Sequence, residues 1–253
     1  MTRSHPGQRI PLLLSAPQPC SYLENRSSSS AFVDPGAPMD MPLYGRLVRV
    51  GFRRSGALVY RPQCPTCQQC LALRLPVEQF RPRRRHRRAL QKNRDVRLVT
   101  CDARLQAEHF ALYQRYTASR HGEGIMAEST PTQYMDFLTA PWSETLFVEL
   151  REGKRLLGVA VTDRLGDGLS AVYTFFEPGL GQRSLGTFAV LSQLSMARQL
   201  GLPHLYLGYW IRDCGKMAYK ADYRPVQLFS GEQWRTFGQG EEIDVPELAP
   251  VHP

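Results

Sequence analysis

The sequence predicts an α+β fold: a mixed sheet with flanking helices, preceded by a small strand-rich module that carries cysteines. Three observations predict it. From residue 95 onward the patterns run strand, helix, helix, three strands, loop, helix, strand. The first 80 residues are rich in turn signals and short alternating runs. Three cysteines stand at i, i+3 and i+6 in CPTCQQC, residues 64–70.

Residues 1–19 are Pro-rich and polar, with a Leu patch at 12–14. NRSSSS (25–30) reads as a linker, and 31–41, with Pro35, Gly36 and Pro38, as irregular chain. LYGRLVRVGFRRSGALVYRP (43–62) reads as a hairpin, with strands at 43–52 and 57–60 and RRSG as the turn. Leu71, Leu73, Leu75 and Val77 alternate, which predicts a half-buried strand. A helix starts after Pro82, since proline is tolerated only in a first turn, and 93–99 ends it and begins a strand. Apolar residues at 105, 110, 112 and 116 predict a helix over 105–120. Residues 123–129 read as a loop and 132–138 as a short helix. Strands are expected at 145–150, 156–163 and 169–176, with a turn at 151–154. The Gly-rich 179–186 reads as a loop, 187–200 as a helix, 204–208 as a strand and 217–221 as a short helix; 224–234 ends in a strand or turn. The expected divisions are 1–80, a basic connecting segment at 81–104, the larger unit at 105–235, and a loose acidic Pro-rich tail at 236–253.

The charge is concentrated. Net charge is +9, and RPRRRHRRALQKNRDVR (81–97), with eight Arg, one Lys and one Asp, carries +8 of it. One basic block on a nearly neutral body predicts a nucleic-acid partner, against the alternative of a solvated basic helix. No apolar run reaches the 18 or so residues that a membrane span needs. Leu12–Leu14, bracketed by Pro11 and Pro17, is too short for a signal-peptide core. The expectation is a soluble cytoplasmic protein, and so thiols rather than disulfides.

The C-x2-C spacing lets a turn point two sulfurs inward at one metal. Cys64, Cys67 and Cys70 need a fourth ligand, and Cys20 is the candidate. Zinc, an iron–sulfur cluster and plain thiols all stay open. Cys101 reads as core, and Cys214 stands beside Asp213 in a polar loop. The loop before the 187–200 helix, LGQRSLG (180–186), has neither standard phosphate-loop fingerprint. Its Arg183, Ser184 and helix start still make an anion seat. The element order is similar to that of acyl-CoA N-acyltransferases, where this loop holds a pyrophosphate.

PCSYL (19–23) and YRPQCPTCQQCLALRLPVEQFRPRRRHRR (60–88) resemble the N-terminal domain of arginyl-tRNA–protein transferases. YTFFEPGLGQRSLGTFAVLSQLSMARQLGLPHLYLGYWIRDCGKMAYKADYRPVQL (173–228) resembles the C-terminal domain of the same family. The resemblance covers roughly 17–235 and is strongest to the short bacterial branch, whose activity is transfer of leucine to proteins beginning with Asp or Glu. It implies an aminoacyltransferase that takes Leu-tRNA, forms a peptide bond on the acceptor's N-terminal amine and marks the product for the N-degron pathway. It implies an acyltransferase-like C-terminal unit and no cofactor for the transfer itself. In eukaryotic relatives the N-terminal cysteines, a CxxC pair and a CC pair, bind an iron–sulfur cluster. Here Cys20 matches the first, Leu23 occupies the second position, and CPTCQQC stands near the later pair.

The chemistry assigns roles. An aminoacyl ester is already activated, and the attacking amine, with a reference pKa of about 7.7–8.0, is partly neutral near pH 7. Positioning and oxyanion stabilisation then suffice. Backbone groups and the Tyr206 and Tyr209 hydroxyls are the candidate oxyanion donors, and Asp213 or Glu177 the proton relay. Tyr209 and Trp210, beyond Gly208, are expected to leave the sheet, with Trp210 stacking on the terminal adenine. Arg83, Arg84, Arg87 and Arg88 are assigned to tRNA phosphates, with Arg183 and Ser184 at the helix start. Lys216 and Lys220, one turn apart, are expected to share a pocket for the acidic acceptor, helped by Arg224, Arg120 and His121. Phe175, Phe176 and Met217 are candidates for the leucyl slot. An arginyl donor (Arg-tRNA) would instead use Glu177 and Asp213 as carboxylates. A conventional acyl-CoA-dependent N-acetyltransferase, and a nonenzymatic RNA-binding module, are the other readings.

Overall fold

A computed structural model of the chain describes residues 9–121 and 129–244, excluding the side chain of residue 121. The loop expected at 123–129 and the end of the expected tail therefore fall mostly outside the described residues.

The N-terminal module is a four-stranded sheet built on one helix. Its strands are β1 (Leu12–Leu14), β4 (Ser30–Val33), β5 (Arg53–Ser55) and β6 (Leu58–Pro62), in the order β1-β4-β6-β5. A two-residue ladder, β2 (Gln18–Pro19) with β3 (Ser27–Ser28), lies beside it. The expected strand at 43–52 is instead α1 (Met41–Arg49). Its buried residues Leu43, Tyr44, Leu47 and Val48 repeat with the helical period, not the period of two. Asp40 caps it, accepting from the Leu43 N–H at 2.8 Å, and Pro42 sits harmlessly in the first turn. Burial of each of those apolar side chains contributes about 1.5–3 kcal/mol. The hairpin turn is also displaced: Arg53 and Arg54 are strand, and Gly56 makes the turn. Gly56 has φ +56°, and a Cβ there would lie 2.2 Å from the Asp136 carbonyl oxygen.

The larger sheet has eight strands: β7 (Leu71–Pro76), β8 (Val96–Asp102), β9 (Thr145–Glu152), β10 (Arg155–Leu165), β11 (Gly168–Phe176), β12 (His204–Trp210), β13 (Val226–Ser230) and β14 (Gln233–Phe237). Their order is β14-β13-β7-β12-β11-β10-β9-β8. β7, from the segment grouped by sequence with the N-terminal module, thus lies inside this sheet between β12 and β13. Every pairing is antiparallel except β11 with β12.

The helices are α2 (Arg84–Lys92), α3 (Ala107–His121), α4 (Pro131–Leu138), α5 (Leu185–Gln199) and the one-turn α6 (Gly215–Ala218). α4 opens on a capping box, with Thr130 and Gln133 exchanging side-chain bonds to each other's N–H. Strand alternation separates two packed layers. Phe147, Val159, Val161 and Phe175 face Leu112, Tyr113 and Tyr134 of α3 and α4. Val148, Leu150 and Ala160 face Leu185, Phe188 and Ala189 of α5. The segment 236–244 is more ordered than a loose tail: Thr236 and Phe237 end β14, and Ile243 is buried in the core.

One buried ion pair ties module to sheet. Arg54 Nε and Nη2 donate to the Asp163 carboxylate at 2.6 and 2.7 Å, with both side chains fully buried. Arg54 also donates to the Leu138 carbonyl and Thr145 hydroxyl. No helix among the described residues is long and apolar enough to cross a membrane.

Candidate active site

The site begins where two parallel strands stop pairing. β11 and β12 are joined only at Gly168–His204, Leu169–Leu205 and Ser170–Tyr206. Beyond those residues the strands part toward their carboxyl ends, where open α/β sheets take ligands. Leu207 and Gly208 also have no paired residue on β7, because the ladder shifts between Tyr206 and Tyr209. Gly208 has φ +71°, a conformation that favours glycine. One wall of the opening is Phe176 at the end of β11, with Tyr116 of α3 at 5.0 Å between ring centroids. Arg120 lies 5.7 and 5.8 Å from those two rings. Tyr219, after α6, is within electrostatic reach of Tyr116 and Arg120, which brings α6 to the same opening.

The tyrosines and tryptophan of β12 are more deeply committed than expected. Tyr206 is at the closed end; its hydroxyl donates to Asp167 at 2.9 Å and accepts from Arg74 at 3.2 Å. The Tyr209 hydroxyl donates to the Gly51 carbonyl at 2.9 Å. Burial pushes both phenols above the ordinary tyrosine range. Tyr209 and Trp210 do not leave the sheet: both are strand residues and buried. Trp210 Nε1 donates to the Ala218 carbonyl at 3.2 Å, so the indole supports α6 from below. Phe175 likewise sits inside the aromatic core, against Tyr113 and Tyr134, rather than at the opening.

Lys216 and Lys220 do not share a face. Lys216 is exposed, while Lys220 is buried, its Nζ donating to the Tyr209 carbonyl at 2.7 Å. The chain tightens into a 3-10 turn at Tyr219–Asp222, which breaks the four-residue repeat. Burial, with a smaller push from Arg53, lowers the Lys220 ammonium to about 7. Arg224 donates to the Ala221 and Gly238 carbonyls. Arg120 is exposed at the opening, Asp213 is exposed in the loop before α6, and the His121 side chain lies outside the described residues. Glu177 directly follows β11 and accepts from Arg115 at 3.0 Å.

The expected anion seat is half occupied by protein. Arg183 Nη1 pairs with Glu152 at 2.6 Å, and its other groups bond Asp95 and Asn93. Ser184 is exposed with φ +56° and makes no side-chain cap to α5. Residues 178–183 are a 3-10 turn, and α5 starts at Leu185.

The basic block forms α2, bolted beside this opening. His86, Ala89 and Asn93 are its inward positions. His86 stacks on Tyr223 at 4.9 Å, Arg85 pairs with Asp222, and Lys92 Nζ donates to the Gln182 carbonyl. Asn93 donates to the Arg183 carbonyl at 2.8 Å. That leaves Arg83, Arg84, Arg87 and Arg88 exposed. Burial and the neighbouring arginines push His86 down to about 4, so it is neutral and adds packing rather than charge.

The four N-terminal cysteines are neighbours. Burial and the Cys64, Cys67 and Cys20 thiols push Cys70 up to about 12. Cys64 Sγ donates to the Ser29 carbonyl, and its pKa is raised by burial. Four thiols suit zinc or an iron–sulfur cluster in kind. Their sulfurs do not converge as a ligand set, however. Among the described residues the metal-type donors that meet within 4.8 Å are Cys101, His109 and Glu149. There Glu149 already accepts from Arg151 and pairs with His109 Nε2 at 2.6 Å, while the buried His109 Nδ1 has no partner.

Comparison with known families and proteins follows the same two halves. Residues 18–88 match the family described as arginine-tRNA-protein transferase, N terminus, and residues 108–230 its C terminus. The aspartate/glutamate leucyltransferase of Nitrosococcus oceani is 48% identical over 222 residues, covering 87% of this chain and 93% of that protein. Its counterpart in Hahella chejuensis is 50% identical over 218 residues, covering 86% and 93%. That of Alkalilimnicola ehrlichii is 46% identical over 237 residues, covering 93% and 99%.

Proposed function

This chain belongs to the arginine-tRNA–protein transferase family, and from that premise we propose that it transfers leucine from Leu-tRNA to the N-terminal amine of proteins beginning with Asp or Glu. The observation that carries the reading is near-full-length similarity, at 46–50% identity, to three aspartate/glutamate leucyltransferases. The acceptor's neutral amine attacks the leucyl carbonyl carbon. The C–O bond to the terminal ribose then breaks, the ribose hydroxyl leaves with a proton that the amine gives up, and a peptide bond remains. The ester supplies the driving force, so no step passes through a cofactor.

The opening between β11 and β12 is the place for the charged 3′ end. Two features support it: the break in strand register at Leu207 and Gly208, and exposed arginines of α2 alongside. Backbone N–H groups there are better oxyanion donors than Tyr206 or Tyr209, whose hydroxyls are engaged. Glu177, at the lip of β11, is the better proton relay than Asp213, which stands off in solvent. Phe176 and Met217 remain for the leucyl side chain. Glu177 pairs with Arg115 across solvent, an exposed contact that an incoming group can displace. A structural zinc or iron–sulfur cluster at the four N-terminal thiols would need their sulfurs to draw together, and elemental analysis of anaerobically purified protein distinguishes it from plain thiols. A reaction fed by charged tRNA and feeding an N-degron pathway puts the protein in the cytoplasm.

The deciding experiment offers an Asp-initiated peptide with Leu-tRNA, Arg-tRNA or acetyl-CoA in separate reactions. Leucyl product alone is expected. Product from Arg-tRNA only would replace the donor, and product from acetyl-CoA only would sink the family mechanism for this chain.

A further inference from the structure

Two adjacent arginines of β5 have opposite environments. Arg54 is saturated by Asp163, Thr145 and backbone carbonyls. Arg53 faces the other way, as strand alternation requires. It lies under Gly208, where a Cβ would stand 3.1 Å from its Nη1. Its guanidinium carbon is 6.0 Å from the Tyr209 ring centroid, and the Tyr22 and Tyr60 hydroxyls are within electrostatic reach. Among the described residues no carboxylate forms an ion pair with Arg53, and the groups that favour its charge are the phenols of Tyr60, Tyr209, Tyr22 and Tyr44.

Lys220 is the second cation there. It is 8% exposed, and its Nζ bonds the Tyr209 carbonyl and touches Met217 Sδ. Arg53 is close enough to repel it, and among the described residues no carboxylate pairs with it. Arg53 is partly buried and Lys220 almost wholly so, and keeping both basic groups charged side by side there is costly without a counter-ion. A chain keeps such a pair where an anion arrives with a ligand.

We infer that Arg53 and Lys220 together receive the side-chain carboxylate of the acceptor's N-terminal residue, with Arg53 as the residue that sets specificity. This rests on the transferase reading above. Both side chains lie against the carboxyl end of β12, at Gly208 and Tyr209, where that reading puts the reacting ester. A guanidinium fork matches a planar carboxylate in two parallel bonds. The phosphate-type surface is elsewhere, on the solvent-exposed arginines of α2. Asn or Gln would fill the same space and leave both cations unpaired, which is how a site rejects a near-isostere. Arg53 thus takes the role that the i,i+4 spacing assigned to Lys216.

The test measures leucyl transfer from Leu-tRNA to two peptides that differ only in an initial Asp or Asn. Wild type, Arg53→Gln, Arg53→Lys and Lys220→Met are compared, each with a thermal melt. Wild type is expected to prefer Asp. In Arg53→Gln the KM for the Asp peptide is expected to rise about 10- to 100-fold, as for a buried charge-assisted hydrogen bond. The Asp preference should collapse to a few-fold while the KM for Leu-tRNA holds, and Arg53→Lys should recover part of it. If Arg53→Gln melts, Lys220→Met reads out the same preference and is expected to lower it. An unchanged Asp preference in the folded variants overturns the proposal. So does a wild type that accepts Asp and Asn alike, and that outcome leaves the transferase reading standing. A wild type that transfers leucine to neither peptide removes the transferase reading itself.

Discussion

At the scale of residues, charge burial separates structural groups from ligand-facing ones. Lys220 titrates near 7 in the folded chain against an ordinary value of 10.5. Between those values the unfolded chain holds a proton that the folded chain lacks, so stability rises with pH across that window. The penalty is fully present below about pH 7. Lys220→Met is therefore expected to be more stable than wild type at pH 6, with the gap closing toward pH 10, as urea midpoints would measure. An incoming carboxylate restores the lost proton. Binding of an Asp-initiated peptide should take up a proton near pH 8 and weaken as pH rises, which calorimetry in two buffers of different ionisation enthalpy detects. Arg54 behaves oppositely. Arg54→Ala strands a fully buried Asp163, and a loss of about 3–5 kcal/mol in denaturant unfolding is expected. Reading RRSG as a turn hid both arginines. The available signal was that neighbours in a strand face opposite ways, so one arginine of the pair had to point inward.

At the scale of elements, α2 divides cleanly between packed and exposed side chains. Replacing Arg83, Arg84, Arg87 and Arg88 by Gln touches only exposed side chains. Melting temperature should hold, while tRNA affinity falls and the slope of log affinity against log salt flattens by about 0.7–0.9 for each phosphate that is no longer neutralised. Intact tRNA affinity in that variant would remove α2 from the interface. His86→Ala should do the reverse, lowering stability by loss of the Tyr223 stack. The basic helix was legible because charge density and Pro82 are local signals. α1 was not, because Leu43, Tyr44, Leu47 and Val48 among arginines fit a strand by eye and a helix by period. The Lys216–Lys220 pairing failed for a related reason: the i,i+4 rule needs a continuing helix, and α6 lasts one turn.

For the whole molecule, the two halves are one folding problem. β7 fills the slot between β12 and β13, and Arg54 pins the module to β10. A fragment starting at residue 81 is expected to lack a cooperative thermal transition, since it would leave two strand edges and a core row open. Such long-range pairing has no local signature, so the alternation at 71–77 marks a strand correctly and says nothing of which sheet receives it. The order of the remaining strands and helices was readable because each carries its own period. The proposed site draws on these distant pieces: β5 and β12 for the acceptor side, α2 for the tRNA side, and β11 for the lip between them. Hydrogen exchange with a non-hydrolysable leucyl-tRNA analogue tests that convergence most directly. Slowed exchange is expected in 84–92 and in 207–210 together. Slowing confined to 84–92, with the β12 end unchanged, would contradict a charged 3′ end lying in the opening between β11 and β12.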